Sequence, residues 1–474
     1  MEWKNLIQGP RVELPAMLDA RERRAFIQRQ LIEKYGTALI SFTLNTAGPV
    51  KVFDLSKQTF EEGLQLIRIR CREYGIPVVY EYVLREDTGW EAFLCADAGP
   101  DYVKRVLTDL EEAHSLGRLF DIDIIRRDLT KVSRKELGME ERRCLICGRP
   151  AFICAGRRLH SVEDLQERTV QIMWDYFAFR FADDTAMTAC RALLYEVMAT
   201  PKPGLVDRAG TGSHEDMDIF TFETSALALL PYFRRFAAYG IEKAHLEPEK
   251  LLDGIRSVGR EADLAMLRAT GGINTHKGAV FSVGILCVAL GWLYGSGKPR
   301  DPETLSDTAK RISAFVMREL EDLSSSLEEG RRLTHGERLY LEHGTGGIRQ
   351  EAALGFPVLF KAALPALRDL TGRGFSLNDA GILTLLKILA ETDDTSLISR
   401  CGYERALYYK EKAGRLWQTF SGAEPGDRAY IRALEDLDRE MIEDHASPGG
   451  SADLLAMTYF LYFLETGRIP SRIS

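Results

Sequence analysis

The chain has 474 residues, of which 45% are hydrophobic and 28% charged, and a formal net charge of -8. This length predicts at least two domains, and the composition is typical of a globular protein without general affinity for nucleic acid, so any phosphate recognition has to be local. The first residues are followed by polar sequence without the hydrophobic core of a signal peptide, and we expect a cytoplasmic protein.

Up to about residue 175, short strand-like runs alternate with amphipathic helical patterns. We therefore expect an α/β or α+β domain over residues 1–175. Strands are predicted over residues 38–44, 78–84, 91–96 and 119–125, and helices near residues 19–35, 58–74 and 101–115.

Asp121 and Asp123 lie two residues apart in the last of these strands. At that spacing both side chains leave one face, while Phe120 and Ile122 face the other. Two such carboxylates repel each other unless a cation lies between them, which is how many nucleotidyl-transferring enzymes hold the Mg²⁺ that bridges a polyphosphate. The alternative is a half-exposed edge strand with solvated aspartates. Arg118, just before the strand, is a candidate to pair with a phosphate.

Cys144, Cys147, Cys154 and His160 have spacings compatible with tetrahedral zinc. Zinc there would form a closed structural site in a loop-rich region; the alternative is a set of packed thiols beside a surface histidine. The surrounding residues 126–158 contain ten Lys or Arg against four Asp or Glu. This local positive charge suits an acidic protein partner or a polyphosphate, although a solvated surface explains it as well.

Beyond about residue 180, nearly every segment has the period and length of a helix, and no strand is predicted. We expect an all-α domain over residues 176–474, joined to the first domain within residues 162–181. Helical patterns occupy residues 183–199, 220–240, 247–269, 274–295, 302–329, 376–391 and 425–446.

An uncharged run of 20 residues, 278–297, is long enough to cross a bilayer. Gly284, Gly291 and Gly295 lie along one helical face of this run, and the chain around it is rich in charge. We interpret the run as a central helix buried on all sides in the helical domain, without membrane contact.

The densest group of reactive side chains lies in residues 200–218, which contain two prolines, three glycines, one Lys, one Arg, one His and four carboxylates. Such a composition favours a shaped loop, with a solvated connection as the alternative. His214 lies between the candidate phosphate-binding and Mg²⁺-binding residues of this loop. Those candidates are Lys202 and Arg208 for phosphate, and Asp207, Asp216 and Asp218 for the metal.

Residues 271–278 lead directly into the apolar run, so backbone amides, the helix dipole and Lys277 converge on one end. An anion is the natural occupant, although Asn274 may simply cap the helix. Arg349 is a further candidate phosphate contact, or part of an ordinary charged helix. For the turn at residues 447–453 we expect a structural role.

Both halves of the chain resemble known families. The second half resembles the triphosphoribosyl-dephospho-coenzyme A synthases through TPKPGLVD (200–207), GSHEDM (212–217), GGINTHKGAVFSVG (271–284) and SPGGSADLLA (447–456). The first half resembles the citrate lyase holo-acyl carrier protein synthases through SFTLNTAGPVK (41–51), EEAHSLGRLFDIDII (111–125) and SRKELGMEERRCLICGRPAFIC (133–154). Together they resemble the fused bifunctional form of these two enzymes.

For the second half, the resemblance implies that the ribose 2'-hydroxyl of dephospho-coenzyme A attacks C1' of ATP. Adenine then leaves, and the triphosphate stays on the transferred ribose. The implied site comprises Lys202, Arg208, His276, Lys277 and Arg349 for phosphate or nucleotide, Asp207, Asp216 and Asp218 for Mg²⁺, and His214 and Asp216 as catalytic residues, His214 being a base or an adenine contact.

For the first half, the resemblance implies a nucleotidyltransferase-like domain. A serine of the citrate lyase acyl carrier subunit would attack the innermost phosphate of that product and release diphosphate. Asp121 and Asp123 would hold Mg²⁺ and act in catalysis, while Arg118 steadies the phosphates. Acyl carrier proteins are typically acidic, which suits the basic segment. The carrier of malonate decarboxylase has the same prosthetic group and stays open as the recipient.

Two alternatives from other classes remain open. The helical half is compatible with a Mg²⁺-dependent N-glycosyl hydrolase that transfers C1' to water. The first half is compatible with a zinc-stabilised module that only docks the carrier subunit.

Overall fold

The computed structural model describes residues 3–321 and 335–467. Its internal contacts divide the chain into two units, Met1–Ala178 and Phe179–Ser474. The division falls within one long helix, α5 (Val162–Met198). The helix continues through this boundary, as expected, while the composition of the sequence differs between the two sides.

The first unit is built on a four-stranded antiparallel sheet in the order β2-β3-β1-β4. All four predicted strands are present. Because the sheet is antiparallel, the unit is α+β rather than α/β. Its strands are β1 (Ala38–Leu44), β2 (Val78–Glu86), β3 (Gly89–Ala96) and β4 (Phe120–Ile125), and its helices before α5 are α1 (Leu14–Tyr35), α2 (Asp54–Glu73), α3 (Pro100–Ala113) and α4 (Ala151–Arg157).

Side-chain alternation gives this sheet two different faces. Ile40 and Phe42 of β1 belong to a core that includes residues of α2 and α3. Their neighbour Leu39 belongs to a smaller cluster on the other face, formed with residues of α1. The register aligns polar side chains along the remainder of that second face, namely Ser41, Thr43, Glu91, Asp121 and Asp123.

The described part of the second unit is helical and contains no strand. The predicted helix 302–329 ends at Ile312 and a second helix follows; residues 322–329 of that prediction lie outside the described residues. The helices of the second unit after α5 are α6 (Ile219–Glu242), α7 (Leu252–Ala269), α8 (Lys277–Ser296), α9 (Pro302–Ile312), Ala314–Glu321, His335–His343, Gly347–Ala353, Leu364–Gly372, Leu377–Glu391, Thr395–Cys401, Tyr403–Phe420, Ala429–Glu443 and Gly449–Thr466.

Helix α8 is the predicted apolar helix, and it packs closely along α6. A methyl group on Gly291 would overlap the carbonyl oxygen of Ala237, and one on Gly284 or Gly295 would also press on α6 residues. In the described part of the chain, α8 alone has the length and hydropathy to span a bilayer, and 83% of its most apolar window is buried. The glycines therefore serve a close helix contact inside the unit, which favours the core-helix interpretation.

Replacing Gly291 by Ala should destabilise the protein by about 1–3 kcal/mol, because the added methyl group overpacks the contact between α6 and α8. Gly259→Ala is the matched control. Gly259 lies inside α7 with open space around its Cβ position, so alanine there should be neutral or stabilise by up to about 1 kcal/mol. Denaturant unfolding followed by circular dichroism measures both, and equal stabilities would contradict the close contact.

Candidate active sites

Residues 200–218 form a loop that is organised by Asp207. The buried carboxylate of Asp207 accepts backbone N–H groups of Lys202 at 2.9 Å, Ala209 at 2.6 Å and Gly210 at 3.2 Å. The segment is therefore a shaped loop, as predicted, and Asp207 helps to give it that shape.

The loop borders a cavity of about 290 Å³ in the helical unit. Lys202 is only 1% exposed there, and its Nζ lies 2.5 Å from Oε1 of Glu196 in α5, a residue that the sequence analysis missed. Because Glu196 neutralises Lys202, this lysine supports the cavity wall and is not an unpaired cation for phosphate. Other side chains that line the cavity are His214, His276, Lys277, Glu351, Asp394, Arg400 and Asp453.

His276 immediately precedes α8 and is 3% exposed. Its Nδ1 lies 2.7 Å from the hydroxyl of Ser225, which in turn accepts a hydrogen bond from the Thr275 hydroxyl at 2.7 Å. Ser225 can therefore donate its own proton to Nδ1, which places the imidazole proton on Nε2. Nε2 is buried without a hydrogen-bond partner. Burial, followed by the charge of Lys202, lowers the pKa of His276 to about 3, so the ring is a neutral donor.

Asp453 was not among the predicted site residues, because a structural role was expected for residues 447–453. In the structure, this segment also lines the cavity. A methyl group on Gly278 would overlap Oδ2 of Asp453, so the glycine lets the carboxylate reach the N-terminus of α8. Burial, followed by the charges of Glu196 and Asp394, raises the pKa of Asp453 well above its usual range. The only local signal was the resemblance motif that contains this residue.

Glu351 and Asp394 are two further carboxyl groups at the cavity. Burial raises the pKa of Glu351 to about 7. Asp394 caps the helix that begins at Thr395 by accepting the N–H groups of Ser396 at 2.9 Å and Leu397 at 3.1 Å. Asp394 is therefore engaged in structure, whereas Glu351 is a weakly acidic group of the wall.

His214 also lines the cavity, and both of its ring nitrogens have partners. Arg400 donates to Nδ1 at 3.0 Å, so Nε2 carries the proton and donates to the Ser447 hydroxyl at 2.9 Å. Burial, followed by the charge of Arg400, lowers the pKa of His214 to about 4. Since neither nitrogen has a free lone pair, this geometry argues against the predicted base role and favours the other one, a contact to the nucleotide.

Several predicted residues do not line this cavity. Asp218 caps α6, Asp216 is exposed 3.9 Å from Nδ1 of His214, and Arg208 is exposed at the loop surface. Asp207 binds a loop amide and Asp218 binds a helix end. The Mg²⁺ role of the loop carboxylates stays a prediction. The predicted residues outside the cavity are Asp207, Arg208, Asp216, Asp218 and Arg349.

In the first unit, Asp121 and Asp123 project from one face of β4, as predicted. Arg142 donates to Oδ1 of Asp121 at 3.2 Å, and Lys131 pairs with Asp123. Burial, followed by repulsion from Asp123, raises the pKa of Asp121. β4 is an edge strand, but its aspartates are paired and partly buried rather than simply solvated. Two hard oxygen donors that repel each other fit Mg²⁺.

Arg118 lines a cavity of about 240 Å³ in the same unit. It makes no hydrogen bond or ion pair with another residue in the described part of the chain. Burial, followed by the charges of Arg142 and Arg134, lowers the pKa of Arg118. A guanidinium in this position is suited to bind an anionic group of a substrate.

Cys144, Cys147, Cys154 and His160 converge, with all four ligand atoms within 4.8 Å of one another. Sγ of Cys147 lies 3.4 Å from Sγ of Cys154 and 3.3 Å from Nε2 of His160. These separations fit a tetrahedral site with Zn–S bonds of about 2.3 Å. His160 contacts the Cys147 thiol directly, which favours the metal site over packed thiols beside an unrelated surface histidine.

Two family models match this chain. Residues 12–176 match the apo-citrate lyase phosphoribosyl-dephospho-CoA transferases, and residues 182–471 match the ATP:dephospho-CoA triphosphoribosyl transferases. "Protein CitXG" of Haemophilus influenzae is 33% identical, and "Protein CitXG" of Leuconostoc mesenteroides 32% identical, with 96% of this chain and at least 96% of each relative covered. The "2-(5''-triphosphoribosyl)-3'-dephosphocoenzyme-A synthase" of Pectobacterium atrosepticum is 42% identical over 60% of this chain and 90% of its own length.

Thus each half matches one transferase family, and the relatives that match both halves are fused in the same order. The chain belongs to the family of fused bifunctional transferases that make the prosthetic-group precursor of citrate lyase and activate the apo-enzyme.

Proposed function

We propose that the helical unit joins ATP to dephospho-coenzyme A in the 290 Å³ cavity and releases adenine. The observation that carries this proposal is the combination of a buried, unpartnered His276 Nε2 with the Asp453 carboxyl group in one cavity. Nε2 of His276 can donate a hydrogen bond to a leaving purine, and the Asp453 carboxyl group can accept the proton of a hydroxyl nucleophile.

In this reaction the ribose 2'-oxygen of dephospho-coenzyme A forms a bond to C1' of ATP while the bond from C1' to adenine N9 breaks. The electron pair of the broken bond leaves with adenine, which Nε2 of His276 stabilises by donating a hydrogen bond. Asp453 takes the hydroxyl proton and returns it to the departing adenine. Burial raises the pKa of Asp453, which makes its carboxylate a stronger proton acceptor.

Lys277 and Arg400 are the cations that we assign to the triphosphate. Lys277 is exposed at the first turn of α8 and, within the described residues, forms no ion pair. Its backbone N–H contacts the Asn274 side chain at 3.3 Å, so the predicted cap and an anion site coexist at this helix end. No step of this proposal uses Asp207, Asp216 or Asp218 as metal ligands.

We further propose that the first unit transfers the product to a serine of the citrate lyase acyl carrier subunit. Asp121 and Asp123 would hold Mg²⁺, which when bound neutralises phosphate charge. Arg118 pairs with the innermost phosphate, on the side of the 240 Å³ cavity. The basic segment 126–158 is the surface that we assign to the acidic carrier.

The Cys144, Cys147, Cys154 and His160 cluster is proposed to hold a structural zinc ion. Cys144, Cys154 and His160 also line the 240 Å³ cavity. Zinc would therefore stabilise one wall of the cavity that we assign to the substrate.

The synthase proposal is tested by supplying ATP, magnesium and dephospho-coenzyme A. We expect adenine release in step with a coenzyme whose mass has increased by a triphosphoribosyl group. Asp453→Asn should lower kcat by about 100-fold or more, because it removes the proton acceptor. Glu465→Gln is the control, since Glu465 lies on the same helix but pairs with Arg368 at the surface. Free ribose triphosphate instead of the coupled product would identify a hydrolase.

The transferase proposal is tested by intact mass of the acyl carrier subunit after co-expression with this protein. Asp121→Asn and Asp123→Asn should abolish attachment without loss of carrier binding. Asp109→Asn, an exposed acid on α3, should behave as wild type. If both strand variants still modify the carrier, the unit is a docking module and the assignment of catalysis to β4 fails.

The zinc proposal predicts about one zinc ion per purified chain by elemental analysis. Cys147→Ser should lose the metal and lower the thermal stability of the first unit, because ligand binding is coupled to folding. Cys401→Ser, outside the cluster, should keep it. A metal-free wild-type protein of unchanged stability after chelation would favour packed thiols instead.

A further inference from the structure

A second cavity in the first unit, of about 180 Å³, is not lined by Arg142 and has no role in the reaction as described so far. Asp121 itself lines it, and Trp90 forms part of the wall. Four basic side chains from two helices and a loop surround it, namely Arg21, Arg24, Lys51 and Lys57.

Two of these four cations are neutralised by neighbouring carboxylates. Arg24 forms two hydrogen bonds with Glu91, at 3.0 and 2.6 Å, and the Glu91 side chain is almost completely buried. Lys57 lies 3.1 Å from Asp54. These pairs build the wall and leave little net charge for a ligand.

Arg21 and Lys51 are different, since neither pairs with a carboxylate in residues 3–321 or 335–467. Nζ of Lys51 donates to the carbonyl oxygen of Thr46 at 2.5 Å. Burial, followed by the charge of Arg21, lowers the pKa of Lys51, so the two cations repel each other across the cavity. An anion between them would relieve this repulsion.

The other cavity, of about 240 Å³, has a more apolar wall. Arg142 lines it and also holds Asp121, while Asn45 lines both cavities. Asn45 is thus common to a cavity with four basic side chains and to one that combines Arg118 with apolar side chains, which are Ala47, Leu145, Ala151, Ala155 and Leu165.

We propose that Arg21 and Lys51 bind the two terminal phosphates of the triphosphoribosyl substrate, and hence the departing diphosphate, in the 180 Å³ cavity. The phosphoribosyl-dephospho-coenzyme A part then occupies the 240 Å³ cavity. This inference rests on the proposed transfer to the carrier serine.

In that transfer, the serine oxygen forms a bond to the innermost phosphorus as the bond from this phosphorus to the bridging oxygen breaks. The electron pair leaves on diphosphate, and the serine proton passes to solvent. Negative charge therefore develops on the leaving group, where Arg21 and Lys51 stabilise it. Arg118 in the 240 Å³ cavity and the pair of Arg21 and Lys51 in the 180 Å³ cavity then determine which end of the substrate enters each cavity.

Inorganic diphosphate is the probe that tests this assignment. Titration calorimetry of the full chain with diphosphate and magnesium should show binding that weakens at least 10-fold in Arg21→Met and in Lys51→Met. Lys51→Arg, which keeps the charge, should retain most of the affinity. Arg29→Met is the matched control, because Arg29 is exposed on the same helix and does not line the cavity.

A second measurement is inhibition of carrier modification by added diphosphate, whose inhibition constant should rise in the same variants. Undiminished diphosphate binding in both methionine variants, or its loss only in Arg118→Met, would overturn the assignment. Failure of the transfer proposal looks different, since the wild-type protein would then bind diphosphate at Arg21 and Lys51 and leave the carrier unmodified.

Discussion

The burial of α8 is the constraint on which the helical unit depends. A helix satisfies its internal backbone groups and leaves only its ends polar, so an apolar helix through a core can support chemistry only at its ends. Glycines let α8 and α6 approach closely, and Gly278 lets Asp453 reach the N-terminal end. His276 and Lys277 lie at that same end because the chain enters the helix there. The positions of Asp453 and Lys277 at the cavity both follow from the way α8 packs in the core.

Charge compensation separates the residues that build each site from those that are free to bind. Burying an unpaired charge is costly, so Lys202 is matched by Glu196, and Arg24 by Glu91. Lys277 and Arg118 have no such carboxylate within the described residues, and both face cavities. In the proposed functions, an anionic substrate supplies the opposite charge at these two positions. The same logic operates in both units, although one is helical and the other is built on a sheet.

In the first unit, the alternation of side chains along β4 separates core residues from candidate binding residues. Apolar residues of β4 enter the core, and the two aspartates stay on the polar face, where Asp121 lines the 180 Å³ cavity. The zinc-ligand cluster stands beside one cavity, and the unpaired cations of α1 and the following loop stand beside the other. If the two proposed reactions hold, fusion to the helical unit places the producer and the consumer of the triphosphoribosyl intermediate on one chain.

Local pattern determined the strands of the first unit, the common face of Asp121 and Asp123, the buried helix α8 and the metal-type spacing of the cysteines, because each depends on periodicity or spacing within a few residues. It also located the loop at residues 200–218. Only the tertiary structure showed that Asp207 accepts hydrogen bonds from loop amides and that Lys202 forms an ion pair with Glu196. It alone brought Asp453 to α8, since contacts between distant segments depend on how whole helices pack, and no local period records that packing.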